Sequence, residues 1–211
     1  MVLISGRNSR KGAENAQISM TERIIGFLSS YLDYDNEDIE LVRYGLHSII
    51  RTFGGIFVAL IAAGIMNILP CALLYLGIFI SIRIYAGGYH ASTARGCSVS
   101  TSIMIGLAYM YIKYCRTVIQ VDVIIYIVSA IIILIVGPVE NKKKPISERE
   151  KSVYKKRIHL LITIITVVFC GAVIYDNARI FRSIDAAMTQ VVILQICGII
   201  NNRYGSISTG E

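Results

Sequence analysis

Two residues with reactive chemistry stand seven positions apart, His90 and Cys97, inside the stretch RIYAGGYHASTARGC from Arg83 to Cys97. A thiolate is a strong nucleophile. A nearby imidazole can take its proton and later protonate a leaving amine. Seven residues of straight helix would set the pair roughly 10 Å apart along the axis, whereas a nucleophile and its base need about 3 Å. A catalytic pair therefore requires that this segment is not one regular helix. Gly87, Gly88 and Gly96 are where it can break, since glycine reaches backbone angles that other residues avoid. Taken alone the pair also reads as structural, because free cysteine commonly serves as a small core residue.

The elements around the stretch must belong to a membrane. The chain has 211 residues, 55% of them hydrophobic, a mean hydropathy of +0.61 and no Trp. That is too apolar for an ordinary soluble domain. The net charge is +7, but no basic patch is interleaved with aromatics in a polar region, so nucleic acid is not expected as a partner. Cys71, Cys97, Cys115, Cys170 and Cys197 are odd in number and irregularly spaced, which excludes a disulfide framework. Four of them, all but Cys97, read as packing thiols. No HxxxH, CxxC or HExxH spacing offers metal ligands, and no cofactor is expected.

Residues 1–17 are a polar tail without the apolar core of a signal peptide. Residues 18–32 carry Ile24, Ile25, Leu28, Tyr31 and Leu32 on one stripe, an amphipathic helix that lies on the membrane or covers a helix bundle. Asn36 is placed to cap the next helix. Six apolar runs follow: 45–69 ended by Pro70, 71–86, 98–115, 118–137 ended by Gly137-Pro138, 158–175 and 184–200. A hydrocarbon core of ~30 Å takes about 20 residues. The fold expected is all-α, a polytopic membrane bundle of about six transmembrane helices, with the amphipathic helix and an irregular active-site segment. One membrane-embedded domain spans 18–200, and 201–211 is a tail. The third run is rich in Ser, Thr and Tyr and is expected to face the bundle interior or a wet cavity rather than lipid.

Lys and Arg set the orientation. With the N-terminus cytoplasmic, 17 basic residues fall inside and four outside, namely Lys113, Arg116, Arg179 and Arg182. Both termini and the His90–Cys97 stretch then face the cytoplasm, which keeps thiols reduced. The loop 137–157, GPVENKKKPISEREKSVYKKR, reads either as a positive-inside anchor or as a cradle for an acidic peptide segment. His47 and His159 read as solvated or carbonyl-capping. Asp122, Asp176 and Asp185 lie at the outer ends of runs and read as interfacial, although intramembrane acids merit suspicion.

Two separated stretches resemble one family. Arg83, Tyr85, Ala86, Gly87, Gly88, His90 and Ala91, then Cys97, then Pro138, Glu140, Asn141, Lys144 and Pro145, are similar in order and spacing to the accessory gene regulator B family of membrane endopeptidases. The RYGL of residues 43–46 resembles the start of that family's first span. The likeness covers roughly residues 18–200. It implies a multi-pass enzyme of the bacterial cell membrane that removes the C-terminal tail of an AgrD-like quorum-sensing propeptide. The cysteine would form an acyl-enzyme thioester, and a Cys or Ser of the propeptide would then close a thiolactone or lactone ring.

Under that resemblance Cys97 is the nucleophile and His90 the base and then the acid. Gly87 and Gly88 offer backbone N–H groups to an oxyanion. Arg83 and Arg95 either support the thiolate or anchor the interface. Asn141 is a candidate to orient His90. Lys142, Lys143 and Lys144, with Arg95, are candidates for holding substrate. The partners expected are the propeptide and the lipid bilayer; a homodimer is left open. The alternative is a small-solute transporter or a membrane scaffold subunit, for which Cys97 would be dispensable.

Overall fold

A computed structural model describes residues 36–89, 94–139 and 147–207; within its helices the side chains of 36–48, 51, 94–95, 97–98 and 203–207 lie outside that description. The amphipathic segment 18–32 is also outside it. Six helices are described: α1 (Asn36–Ile65), α2 (Leu69–Ala86), α3 (Ala94–Tyr114), α4 (Ile119–Val136), α5 (Glu148–Ile174) and α6 (Ala178–Ile207). Residues 1–58 and 59–211 form separate compact units, and the packing below belongs to the second.

Four of these helices are long and apolar enough to cross a membrane: α2, α4, α5 and the Ala178–Asn202 part of α6. In α1 the apolar stretch is shorter, Thr52–Ile65. The protein is thus an all-α membrane bundle. Its outward faces are apolar too, with Ile84, Leu107, Ile135 and Val167 exposed. Hydrophobic residues all round a helix fit lipid as the outer solvent.

The helix ends follow local chemistry. The first run stops at Ile65, short of Pro70. Asn67 takes φ 55° in the turn, a conformation its short polar side chain tolerates. Pro70 falls in the first turn of α2, where a missing N–H is not needed. Gly137 at φ 64° ends α4, its N–H reaching the Ile133 carbonyl at 3.0 Å.

The largest departure from the expected boundaries is α5. It starts ten residues before the apolar run at Ile158, so half of the basic loop is helix. Ser147 and Glu150 form a capping box, each satisfying the other's backbone N–H, at 3.3 Å and 2.9 Å.

Helix α6 is the centre. It packs against α2, α3, α4 and α5. Ile184, Ala187, Met188 and Val191 are fully buried along it, at the i, i+3, i+4, i+7 spacing of a core stripe. Tyr126 of α4 stacks on Phe169 of α5 at 4.1 Å between centroids, and Phe169 meets Phe181 of α6 edge-on. On the other side Tyr75 of α2 donates to Gln190 of α6, whose amide nitrogen donates to the Met104 carbonyl of α3. Such interhelical hydrogen bonds tie bundles where apolar burial alone discriminates little.

Three expectations are corrected. In α3 Tyr109 is buried and Tyr111 half-buried, but Tyr114, Ser100, Thr101 and Ser102 are exposed. Their run is polar without facing the core. Of the packing thiols only Cys71 is buried; Cys170 and Cys197 are exposed on α5 and α6, because membrane helices carry apolar residues on both faces. Asp122 and Asp185 are fully enclosed, while Asp176 stays exposed in its turn as expected.

Candidate active site

The helix break that a His90–Cys97 pair requires is present. Helix α2 ends at Ala86 and α3 begins at Ala94. Gly87 and Gly88 carry φ of 65° and 114°, the region where only glycine is unstrained. Gly96 lies inside α3 and takes no part in the break. Cys97 sits in the first turn of α3; its side chain, and all of His90, lie outside the described residues.

What holds the break is main chain. The Val139 amide donates to the Ala86 carbonyl at 2.9 Å, and Gly87 forms a parallel bridge with Val139. A Cβ on Gly87 would collide with the Val139 carbonyl. The glycine motif and the Pro138 motif, about fifty positions apart in sequence, are therefore in direct contact. Asn141 and Lys142, Lys143 and Lys144 follow Val139 closely but lie outside the described residues.

Arg83 is placed as a staple. Its guanidinium donates to the carbonyls of Gly87 and Tyr89, closing the turn that leads to His90. Arg95 is in the first turn of α3, its side chain undescribed. The Gly87 N–H is engaged by the Arg83 carbonyl at 3.2 Å as the helix cap. Among the described residues no hydrogen bond engages the N–H of Gly88.

The floor of the segment is α6. The Tyr89 amide donates to the Leu194 carbonyl at 2.8 Å. Gly198, one turn further, lets the backbone lie directly on the helix: a Cβ there would stand 2.7 Å from the Tyr89 nitrogen and 2.8 Å from the Gly88 carbonyl carbon. Gln195 between them donates to the Gly137 carbonyl at 2.8 Å. One helix thus holds both the Gly88–Tyr89 segment and the Gly137 corner beside it. Sequence reading missed Leu194, Gln195 and Gly198. Gln195 left a signal, an amide in an apolar run; Leu194 acts through its carbonyl and left none.

The N-terminal turns of α5 close the flank. Tyr154 meets Tyr85 edge-on at 5.8 Å, and Lys155 lies over Gly137. His159 makes the carbonyl cap expected of it, its Nδ1 at 2.8 Å from the Lys155 oxygen.

The sequence profile described as Accessory gene regulator B matches residues 21–199. Putative AgrB-like protein 2 of Clostridium perfringens (strain 13 / Type A) is 29% identical over 169 residues, covering 74% of this chain and 77% of that protein. Accessory gene regulator protein B of Staphylococcus aureus (strain Newman) is 24% identical over 170 residues, covering 81% of this chain and 89% of that one. No solved structure matches.

Proposed function

The chain belongs to the accessory gene regulator B family, and from that premise we propose that it is a membrane-embedded cysteine endopeptidase acting on an AgrD-like propeptide. The observation that carries this reading is the contact of Ala86 and Gly87 with Val139. It sets the end of α2, where Gly87 stands three residues before His90, against Val139, the residue after Pro138.

In this reading Cys97 Sγ attacks the scissile carbonyl after His90 takes its proton. The C–N bond breaks, the amine leaves with that proton, and a thioester remains. A thiol or hydroxyl of the bound peptide then attacks the thioester. His90 takes that group's proton, the ring closes and the Cys97 thiolate is released. Position in the first turn of α3 favours that anion, because unpaired amides gather at a helix N-terminus. Gly88, with its N–H unengaged, is the stronger of the two glycine candidates for the oxyanion. Arg83 acts by shaping the turn, and Asn141 remains the candidate to orient His90. Lys142, Lys143, Lys144 and Arg95 hold the acidic tail. The active site and both termini face the cytoplasm, and residues 18–200 work as one domain.

The test is adduct mapping. Purified full-length enzyme is incubated with propeptide and examined by mass spectrometry. An adduct on Cys97 that hydroxylamine removes supports the thioester, and Cys97→Ala should abolish cleavage and cyclisation while inserting normally. Full activity in Cys97→Ala, or an adduct on another cysteine, overturns Cys97 as the nucleophile, and the absence of any cleavage or adduct returns the chain to the transporter alternative.

A further inference from the structure

The first turns of α5 carry a charged face that the site described above does not use. Arg149, Val153, Lys156, Arg157, Leu160 and Ile164 are all exposed. Counted from Arg149 they stand at i, i+4, i+7, i+8, i+11 and i+15, so they share one face of the helix. The opposite face holds Ile158, Ile162, Ile165 and Phe169, buried against the bundle. A membrane helix that is apolar on both sides turns the outer side to acyl chains. The apolar run of α5 begins at Ile158. Lys156 and Arg157 directly precede it and so stand at the edge of the hydrocarbon, where headgroups begin. Side chains on a helix lean toward its N-terminus, which here points away from the hydrocarbon, so both cations reach into the headgroup layer. Arg149 stands about two turns further out on the same face.

The charge on this face is uncompensated. The acids of the same turns are engaged elsewhere: Glu148 pairs with Lys151 at 3.7 Å, and Glu150 serves the Ser147 capping box. Among the described residues no carboxylate pairs with Arg149, Lys156 or Arg157. Two adjacent cations above an exposed apolar stripe match the two parts of one molecule, a phosphate diester and its acyl chains. Basic clusters immediately beside a membrane span attract anionic lipid. A headgroup without its own ammonium is favoured, because a choline or ethanolamine nitrogen would stand against Lys156 and Arg157. An acidic peptide segment would satisfy the cations and make no use of the stripe below them.

We propose that Lys156 and Arg157, with Arg149 above them, form a binding site for an anionic phospholipid whose chains run along Leu160 and Ile164. The same turns carry Tyr154, edge-on to Tyr85 of α2 at 5.8 Å, and Lys155, which lies against Gly137. The bound headgroup therefore holds the part of α5 that flanks the end of α2 and the Gly137 corner. The site is independent of the peptidase reading, and its test needs no substrate.

The chain has no Trp, so Leu160→Trp places a single fluorescent reporter on this face. Full-length protein with that substitution is reconstituted in phosphatidylcholine bilayers containing increasing fractions of brominated phosphatidylglycerol or of brominated phosphatidylcholine. Bromine quenches on contact, so the two curves give the relative affinity of the lipids at the reporter. The anionic lipid should be preferred at least about fivefold at low salt, the contribution of one basic residue at such a surface. The preference should shrink as salt is added. Replacing Lys156 and Arg157 together with Gln should bring the two curves together. Lys151→Gln, which removes a cation already paired with Glu148, should leave them apart. Native mass spectrometry of the unmodified protein is a second measurement: phosphatidylglycerol should stay bound at collision energies that strip phosphatidylcholine. Coincident curves and equal retention of the two lipids overturn the proposal. Quenching that ignores lipid charge, with a reporter that responds to an added oligoglutamate peptide, also overturns it and makes the face a peptide-docking surface.

Discussion

The Tyr89 amide and the Leu194 carbonyl meet at 2.8 Å, so the residue directly before His90 is fixed to the central helix by main chain alone. Gly198 makes that approach sterically open. Gly198→Ala should therefore push the segment off α6. A displacement of about 1 Å costs roughly 10²-fold in rate. We expect kcat to fall about that much, with substrate binding nearly unchanged and the protein inserted. Equal kcat in the variant would show that the catalytic segment does not depend on this floor.

Gln195→Leu removes the hydrogen bond to Gly137. It also removes the amide's own buried oxygen, which has no partner. The two effects oppose each other, so the melting temperature should move little, while the 137–139 corner loosens. Limited proteolysis at Lys142 to Lys144 should accelerate and kcat/KM should drop about tenfold. Unchanged proteolysis would separate the corner from Gln195.

Replacing Lys142, Lys143 and Lys144 together with Gln should raise KM for the propeptide and leave kcat close to normal. Added salt should reproduce the effect in the unmodified enzyme, because screening weakens exposed charge pairs. A KM insensitive to both changes would leave the loop as an orientation signal only.

Reporter fusions provide the topology check. With 17 basic residues on one side and four on the other, a fusion within 140–146 should report cytoplasm and one at Asp176 the exterior. The reverse pattern would move the His90–Cys97 stretch outside the cell.

Much of this was readable from residues. The apolar runs located α2 and α4 to within a few positions, and the paired glycines marked where α2 must stop. The start of α5 was hidden because a basic run resembles a loop, although Ser147 and Glu150 already spelled a capping box. Asp185 was misplaced for a related reason. Its apolar run begins at Ile184, but α6 begins at Ala178, so the aspartate sits nearly two turns inside the helix. Asp122 is near its helix end, yet Tyr111 and Thr117 fold over it. Contacts made across the bundle leave no periodic trace in one chain.

The joint between the Gly88–Tyr89 segment and α6 consists of an amide, a carbonyl and an absent methyl group. None of these depends on what side chain stands at Tyr89 or Leu194. Those two positions can drift while the joint survives, whereas a single added carbon at Gly88 or Gly198 cannot be absorbed. Chimeras between members of this family should therefore carry both glycines over from the same parent, and can draw the outer faces of the helices from either.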